Sequence, residues 1–253
     1  MPTYRDMPNV SKSEINRCGD YLATLYRILD DGDDERLEEH FDRETYLRAT
    51  GVVDDFRAAH QRPLSITSVG LRQFYQSQLG RYPVVSQRLK RLPRIIRKLS
   101  NMGNSNLARL EDVGGTRAVV RDLDEQRRLC DHIERRWGDR IKRHRDYVGD
   151  PKATGYRARH FVIEKSERRI EIQVRTRLQQ RWANAIEAAD SRFNLALKDG
   201  RGPQEMLDYF STSGAMLYFQ DADAQPPAEL ADQHNAATDA VVEAGYFVRR
   251  RRD

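Results

Sequence analysis

RARHFVIE, residues 157–164, and RRIEIQVR, residues 168–175, flank the polar Lys165, Ser166 and Glu167. Two such runs around a short polar turn predict a β-hairpin. In the second run alternation puts Ile170, Ile172 and Val174 on one face and Glu171, Gln173 and Arg175 on the other. A strand that hides three aliphatics and displays an acid, an amide and a cation is a floor for a polar cleft. Working outward, Thr116–Arg121 (TRAVVR) reads as a strand, Asp124–Trp137 as a helix and Ile141–Val148 as a strand. Upstream, helices are expected at Ser11–Leu29, Asp34–Phe41, Val52–His60 and Ile66–Leu79, with Pro63 and Pro83 at their ends. Downstream, Leu178–Leu197, Pro203–Gln220 and Ala228–Gly245 carry helical patterns. The class is α/β, a mixed sheet of about five strands flanked by helices, with helical extensions at both ends. The expected division is a helical extension over 1–85, a core over 86–200, and a C-terminal helical extension with a basic tail over 201–253.

The chain of 253 residues is long enough for one good core without disulfides. Its two cysteines, Cys18 and Cys130, lie far apart and have no metal-ligand spacing, which suits thiols in a reducing compartment. No apolar run approaches a membrane span, and Met1 to Val10 lacks a signal-peptide layout, so the expectation is a cytoplasmic protein with no membrane partner. Charged residues make up 33% of the chain but the net charge is only +5, so their distribution matters more than their sum. Between Ser86 and Asn101 there are six basic residues (Arg88, Lys90, Arg91, Arg94, Arg97, Lys98) and no acid. Leu89, Leu92, Ile95, Ile96 and Leu99 fall at helical spacing within it, so this run is expected to be one helix ending at Gly103 and Asn104. One face would be anchored, and the other would offer cations to a polyphosphate.

Asp112 precedes Gly114, Gly115 and the strand at Thr116, where glycines let the backbone turn closely and a carboxylate can hold Mg²⁺ on phosphates. The segment from Asp146 to His160 is a loop with Gly149, Pro151 and Gly155, carrying Lys152 and Tyr156 near its tip. An aromatic ring beside a lysine can stack a base while the cation meets phosphate. Each feature alone has a plainer reading, as a turn, a solvated strand face or a structural loop.

Together and in this order they resemble the synthetase domain of the RelA/SpoT family, over about residues 88–188. The four matching segments are Arg88-Leu-Lys90-Arg-Leu-Pro-Arg94-Ile-Ile-Arg-Lys98, Asp112-Val-Gly-Gly-Thr-Arg117, Asp146 to His160, and Glu171-Ile-Gln-Val-Arg-Thr176. The resemblance implies a nucleotidyltransferase-like fold and transfer of the β,γ-diphosphate of ATP to a ribose 3′-hydroxyl. It implies that Arg88 and Arg117 clasp adenine, that Lys90, Arg94 and Lys98 bind the donor phosphates, and that Asp112 ligates Mg²⁺. Glu171 would share that metal or take the 3′-hydroxyl proton, with Gln173 orienting the acceptor. Tyr156 would stack the acceptor base, with Lys152, Arg157, His160 and Arg175 around its phosphates. Departures from the family pattern are Arg94 and Ala158 in place of serine, Arg159 in place of an aliphatic, and Pro93 inside the first motif.

The acceptor implied by most of the family is GDP or GTP, giving (p)ppGpp. The alternative is a toxic small alarmone synthetase that modifies the 3′-terminal adenosine of tRNA or makes (p)ppApp, and the stretch Phe56 to Leu64 points toward that subgroup. Such a protein implies a neutralising antitoxin, and self-association is compatible with either reading. Arg157, Arg159 and the tail Arg249–Arg252 would suit RNA phosphates. His40 and His60 are not followed by Asp, so the hydrolase motif of the long synthetases is not expected. A catalytically dead binding module has no need of an acid pair facing cations.

Overall fold

The computed structural model describes residues 10–80, 84–102 and 106–247. Its centre is a mixed five-stranded sheet in the order β1-β2-β5-β4-β3. The strands are β1 (Val84–Leu89), β2 (Gly114–Val120), β3 (Ile141–Asp146), β4 (Arg159–Lys165) and β5 (Arg168–Thr176), with only β2 and β5 parallel. The β4–β5 hairpin forms as the pattern requires, turning at Ser166 and Glu167, both with positive φ as in a two-residue primed turn. Pairing continues across the sheet in rows. Arg88, Gly115, Glu171, Val162 and Arg143 form one, and Ser86, Arg117, Gln173, His160 and Arg145 the next. Directly paired residues share a face, so one face of the sheet is a polar floor.

The opposite face carries the main core, where Phe161, Ile163, Ile170, Ile172 and Val174 pack against Leu129 and Ile133 of α6 (Leu123–Trp137) and Leu64 and Leu71 of α4 (Gln61–Leu79). Ser68 of α4 donates to Thr116 Oγ1 at 3.0 Å, and Thr116 donates on to the Ser86 carbonyl, which fastens α4 to both β2 and β1. A second core joins α1 (Lys12–Asp31) and α3 (Arg43–Ala58) to α5 (Leu92–Ser100), with Leu22, Val53 and Phe56 meeting Ile95, Leu99 and Leu107. This cluster crosses the boundary expected at residue 85. A short α2 (Asp34–His40) links α1 to α3. At the other end α7 (Arg177–Phe193), α8 (Gln204–Asp221) and α9 (Ala228–Glu243) share a third cluster around Trp182, Phe210 and Val241.

Three expectations are corrected. The basic run is not one helix: Val84–Leu89 is an edge strand, and the helix starts at Leu92. Pro93 occupies the first helical turn, where its missing N–H costs nothing, so it starts α5 rather than kinking a longer helix. The third helix begins at Arg43 instead of Val52 because Asp42 caps it, accepting from Thr45 N at 2.7 Å. The fourth helix begins at Gln61 instead of Ile66, with Pro63 inside its first turn. The stop at Gly103 and Asn104, the punctuation at Pro83, the N-terminal Met1 to Asn9 and the tail Arg249–Arg252 lie outside the described residues. No helix among the described residues is long and apolar enough to cross a membrane.

Candidate active site

The polar floor opens into a cleft of about 280 Å³ lined by Arg88, Asp112, Gly115, Arg117, Glu171 and Gln173, with Ser86, Gln87, Thr116 and Glu187 completing the wall. Splitting the basic run makes this geometry possible. Arg88 rides on β1, Lys90 follows it, and Lys98 projects from α5, so the cations approach from different elements. Arg94, one turn before Lys98, is exposed on the same helix and does not line the cleft. Gly114 and Gly115 are the first residues of β2, not a turn. A Cβ on Gly114 would sit 3.3 Å from His60 Cβ, while at Gly115 the missing side chain leaves Glu171 open to the cleft.

Asp112 Oδ2 accepts from Lys90 Nζ at 2.5 Å and Lys98 Nζ at 2.8 Å. Burial pushes its carboxyl up, but hydrogen bonds from the two ammonium groups outweigh this and hold it below the usual range, so it is ionised. Lys90 is displaced downward, chiefly by burial. Asp112 Oδ1 is buried and has no protein partner.

Glu171 has a different environment. His160 Nδ1 lies 3.0 Å from its Oε1, and Gln173 Nε2 donates to its Oε2 at 2.8 Å. Burial raises this carboxyl too, yet His160 and Gln173 more than offset it, so Glu171 is also held below its ordinary value. Arginine has only donors, so the groups it touches accept. Arg117 Nε at 3.3 Å and Arg175 at 3.2 Å both reach Gln173 Oε1, which turns the amide nitrogen toward Glu171. Arg175 also donates to Tyr156 Oη at 2.9 Å, and Tyr156 Oη lies 2.6 Å from His160 Nε2. An ionised carboxylate only accepts, so His160 Nδ1 carries the proton that faces Glu171. Two hydrogen-bonded chains, through an amide and through a phenol and an imidazole, end on one carboxylate.

Arg175 is therefore inside the wall, 5% exposed, with its second nitrogen bonded to Gln180. Tyr156 is half-buried, edge-on to Tyr147, His160 and Trp182. Lys152 Nζ lies 5.5 Å from the centre of its ring. Arg157 stacks on Tyr218 of α8 and donates to the Val148 carbonyl, so it braces the loop. Arg159 belongs to the opposite face of the sheet, beside Cys130 and paired with Asp146 at 3.0 Å. The site thus gathers Arg88, Lys90, Lys98, Asp112, Arg117, His160, Glu171 and Gln173, and leaves Arg94, Arg157 and Arg159 outside the cleft. Sequence reading missed Glu187, which lines the cleft from α7, is held ionised by Lys198 against its burial, and faces Arg117 and Arg175. It sits in an ordinary helical pattern, and only the crossing of α7 over the sheet brings it there.

The two carboxylates fit a hard cation: they line one cleft, both are ionised, and Asp112 Oδ1 is an orphaned buried acceptor. Among the described residues there is no cluster of three or more acids, histidines or cysteines able to hold a metal, so any ion would depend on substrate oxygens as well. A larger cavity of about 770 Å³ lies between α7, α8 and Phe247, lined by Trp182, Tyr209 and Phe210, and neither Asp112 nor Glu171 reaches it.

Residues 87–194 match the family model described as a region found in RelA / SpoT proteins. An uncharacterized protein of Mycobacterium tuberculosis is 29% identical over 161 residues, covering 58% of this chain and 58% of that one. A GTP pyrophosphokinase of Brucella melitensis is 33% identical over 108 residues, 42% of this chain and 14% of that one. The chain thus spans little more than half of the mycobacterial relative and a small part of the Brucella enzyme. Among solved structures, small alarmone synthetase 2 from Bacillus subtilis superposes with a TM-score of 0.57 at 21% identity, covering 67% of this chain and 94% of that one. Small alarmone synthetase 1 from the same organism, bound to its product pppGpp, gives 0.54 at 19% identity, covering 66% and 90%. At such identities the likeness is one of fold, and it agrees with the five-stranded mixed sheet flanked by helices. The ordered motifs and the matched region make residues 87–194 of this chain similar to the region found in RelA / SpoT proteins, in a fold shared with the small alarmone synthetases.

Proposed function

We propose that the chain is a pyrophosphokinase that transfers the β,γ-diphosphate of ATP to the 3′-hydroxyl of GDP or GTP. The observation that carries this reading is the pair of ionised carboxylates, Asp112 and Glu171, set in one cleft among Arg88, Lys90, Lys98 and Arg117. Phosphoryl transfer asks for alignment and charge neutralisation more than for covalent chemistry. In the step, the acceptor 3′-oxygen bonds to the β-phosphorus, the bond from that phosphorus to the α–β bridging oxygen breaks, and AMP leaves. The 3′-proton passes to Glu171, which is free to take it because it is ionised. Arg88 and Arg117 would hold adenine, Lys90 and Lys98 the donor phosphates, and Lys152 and Tyr156 the acceptor. Asp112, through its unpartnered Oδ1, and Glu171 would hold Mg²⁺, which supplies charge neutralisation on the phosphates when bound. The names of the relatives support guanine nucleotides as acceptor: one is a GTP pyrophosphokinase and another was crystallised with pppGpp.

Purified protein incubated with labelled ATP and, separately, GDP, GTP, adenine nucleotides and bulk tRNA tests the reading. Label should pass to GDP or GTP, and Glu171→Gln should lower transfer by about a hundredfold or more. Wild-type rates in that variant would remove Glu171 from the mechanism.

A second reading, a toxic synthetase acting on the 3′-terminal adenosine of tRNA, is favoured by one observation. Beyond Glu171 and Gln173 the polar floor continues to Arg143 and Arg145, which with Arg169 share the single carboxylate of Glu111. That excess of cations lies outside the cleft, where a polynucleotide backbone reaches and a mononucleotide does not. Arg143→Glu with Arg145→Glu should reduce labelling of tRNA about tenfold and flatten its salt dependence, with labelling of GDP unchanged. If tRNA is never labelled by the wild-type protein, this second reading fails.

A further inference from the structure

Gly155, in the loop that carries Lys152 and Tyr156, has φ +87°, a value favouring glycine, and a Cβ there would lie 2.5 Å from the Phe210 carbonyl oxygen of α8. The contact is reciprocal. A Cβ on Gly214, in the middle of α8, would lie 2.2 Å from the Gly155 carbonyl oxygen and 2.8 Å from its Cα. Two glycines from separate parts of the chain thus allow backbone to lie directly on backbone. Glycine is among the poorest helix formers, so α8 by itself would be steadier with alanine at 214. What the glycine provides is room for the loop.

The rest of the neighbourhood holds this approach in register. Trp182 Nε1 donates to the Phe210 carbonyl at 2.9 Å, and Thr176, at the end of the catalytic strand β5, donates to Asp221 at the far end of α8. Arg157 lies 4.4 Å from the centre of the Tyr218 ring, one turn after Gly214. Within the loop, Gly155 N donates to the Lys152 carbonyl at 2.8 Å, so a shift of Gly155 moves Lys152 and its neighbour Tyr156. Helix α8 lies wholly outside residues 87–194.

We infer that α8 is part of the acceptor subsite, with Gly214 a positioning residue that sets the height of the Lys152–Tyr156 loop through Gly155, and Tyr218 a second brace acting through Arg157. The inference rests on the proposed transfer reaction for its kinetic consequence, but its structural consequence is independent of any activity.

The test is Gly214→Ala, read by amide hydrogen exchange and by steady-state kinetics with ATP and GDP. Amides over 147–157 should exchange about tenfold faster while α8 itself is unchanged or better protected, a combination that general destabilisation does not produce. The KM for GDP should rise about tenfold, with the KM for ATP within about twofold of wild type. If Gly214→Ala does not fold, Tyr218→Leu, which keeps the glycine contact, should speed exchange in the same loop about threefold. Unchanged exchange in the loop, or a loss shared equally between ATP and GDP, overturns the inference. If the wild-type protein transfers to no acceptor, the proposed function fails, and the exchange measurement alone decides the role of α8.

Discussion

Glu171 ends two hydrogen-bonded chains, and both begin at Arg175. Because Arg175 holds Tyr156 and Gln173 with one guanidinium nitrogen and Gln180 with the other, a lysine of equal charge cannot replace it. Arg175→Lys is expected to lower kcat about tenfold with little change in the KM for ATP, measured by steady-state kinetics; an unchanged kcat would detach Arg175 from Glu171. A second residue carries a pH signature. His60 is 0% exposed, donates Nδ1–H to the Phe56 carbonyl, and has an Nε2 without a partner. Burial lowers its pKa from 6.5 to about 4. The folded value lies below the unfolded one, so the unfolded chain takes up the proton first. The full contribution is present above pH 6.5 and is lost as pH falls toward 4, amounting to about 3 kcal/mol. The urea midpoint of the wild-type protein should therefore fall between pH 7 and pH 5 by more than that of His60→Phe, and parallel losses would sink the idea.

Thr176 is the hinge between three elements. It ends β5, caps α7 in a capping box with Gln179, and donates to Asp221 at the end of α8. Thr176→Val would remove the cap and leave Asp221, which burial already pushes up, without its donor. The expected cost is about 2 kcal/mol of unfolding free energy, readable from urea denaturation. A cost near zero would mean that α7 is held by Trp182 and Ile186 packing alone. The same element logic explains why the basic run was misread. Helical spacing of Leu89 with Leu92 and Leu99 is real in the sequence, but Leu89 packs on the sheet core and Leu99 on α1. Pro93 was the visible sign of the break.

For the molecule as a whole, the helices before residue 61 are not an appendage to the sheet. Their side chains bury the inner face of α5, whose outer face offers Lys98 to Asp112. Removing residues 1–59 would expose Ile95, Leu99, Leu107 and Val113, apolar surface worth several kcal/mol at about 25 cal/mol per Å². Such a chain is expected to lack a cooperative thermal transition by circular dichroism. A sharp melt near that of the full chain would make the helical segment separable after all.

The sequence by itself determined the hairpin and the polar face of β5, because strand alternation is a local property. Tertiary structure alone decided that Val84–Leu89 joins the sheet, since an edge strand depends on β2 being there to pair with. It also decided that Arg175 and Arg157 turn inward as braces, that Arg159 faces away from the cleft, and that Glu187 and Gly214 belong to the site's surroundings. Those assignments depend on which face a neighbouring element covers, and on how closely two backbones approach across long stretches of chain. No spacing along the sequence encodes either.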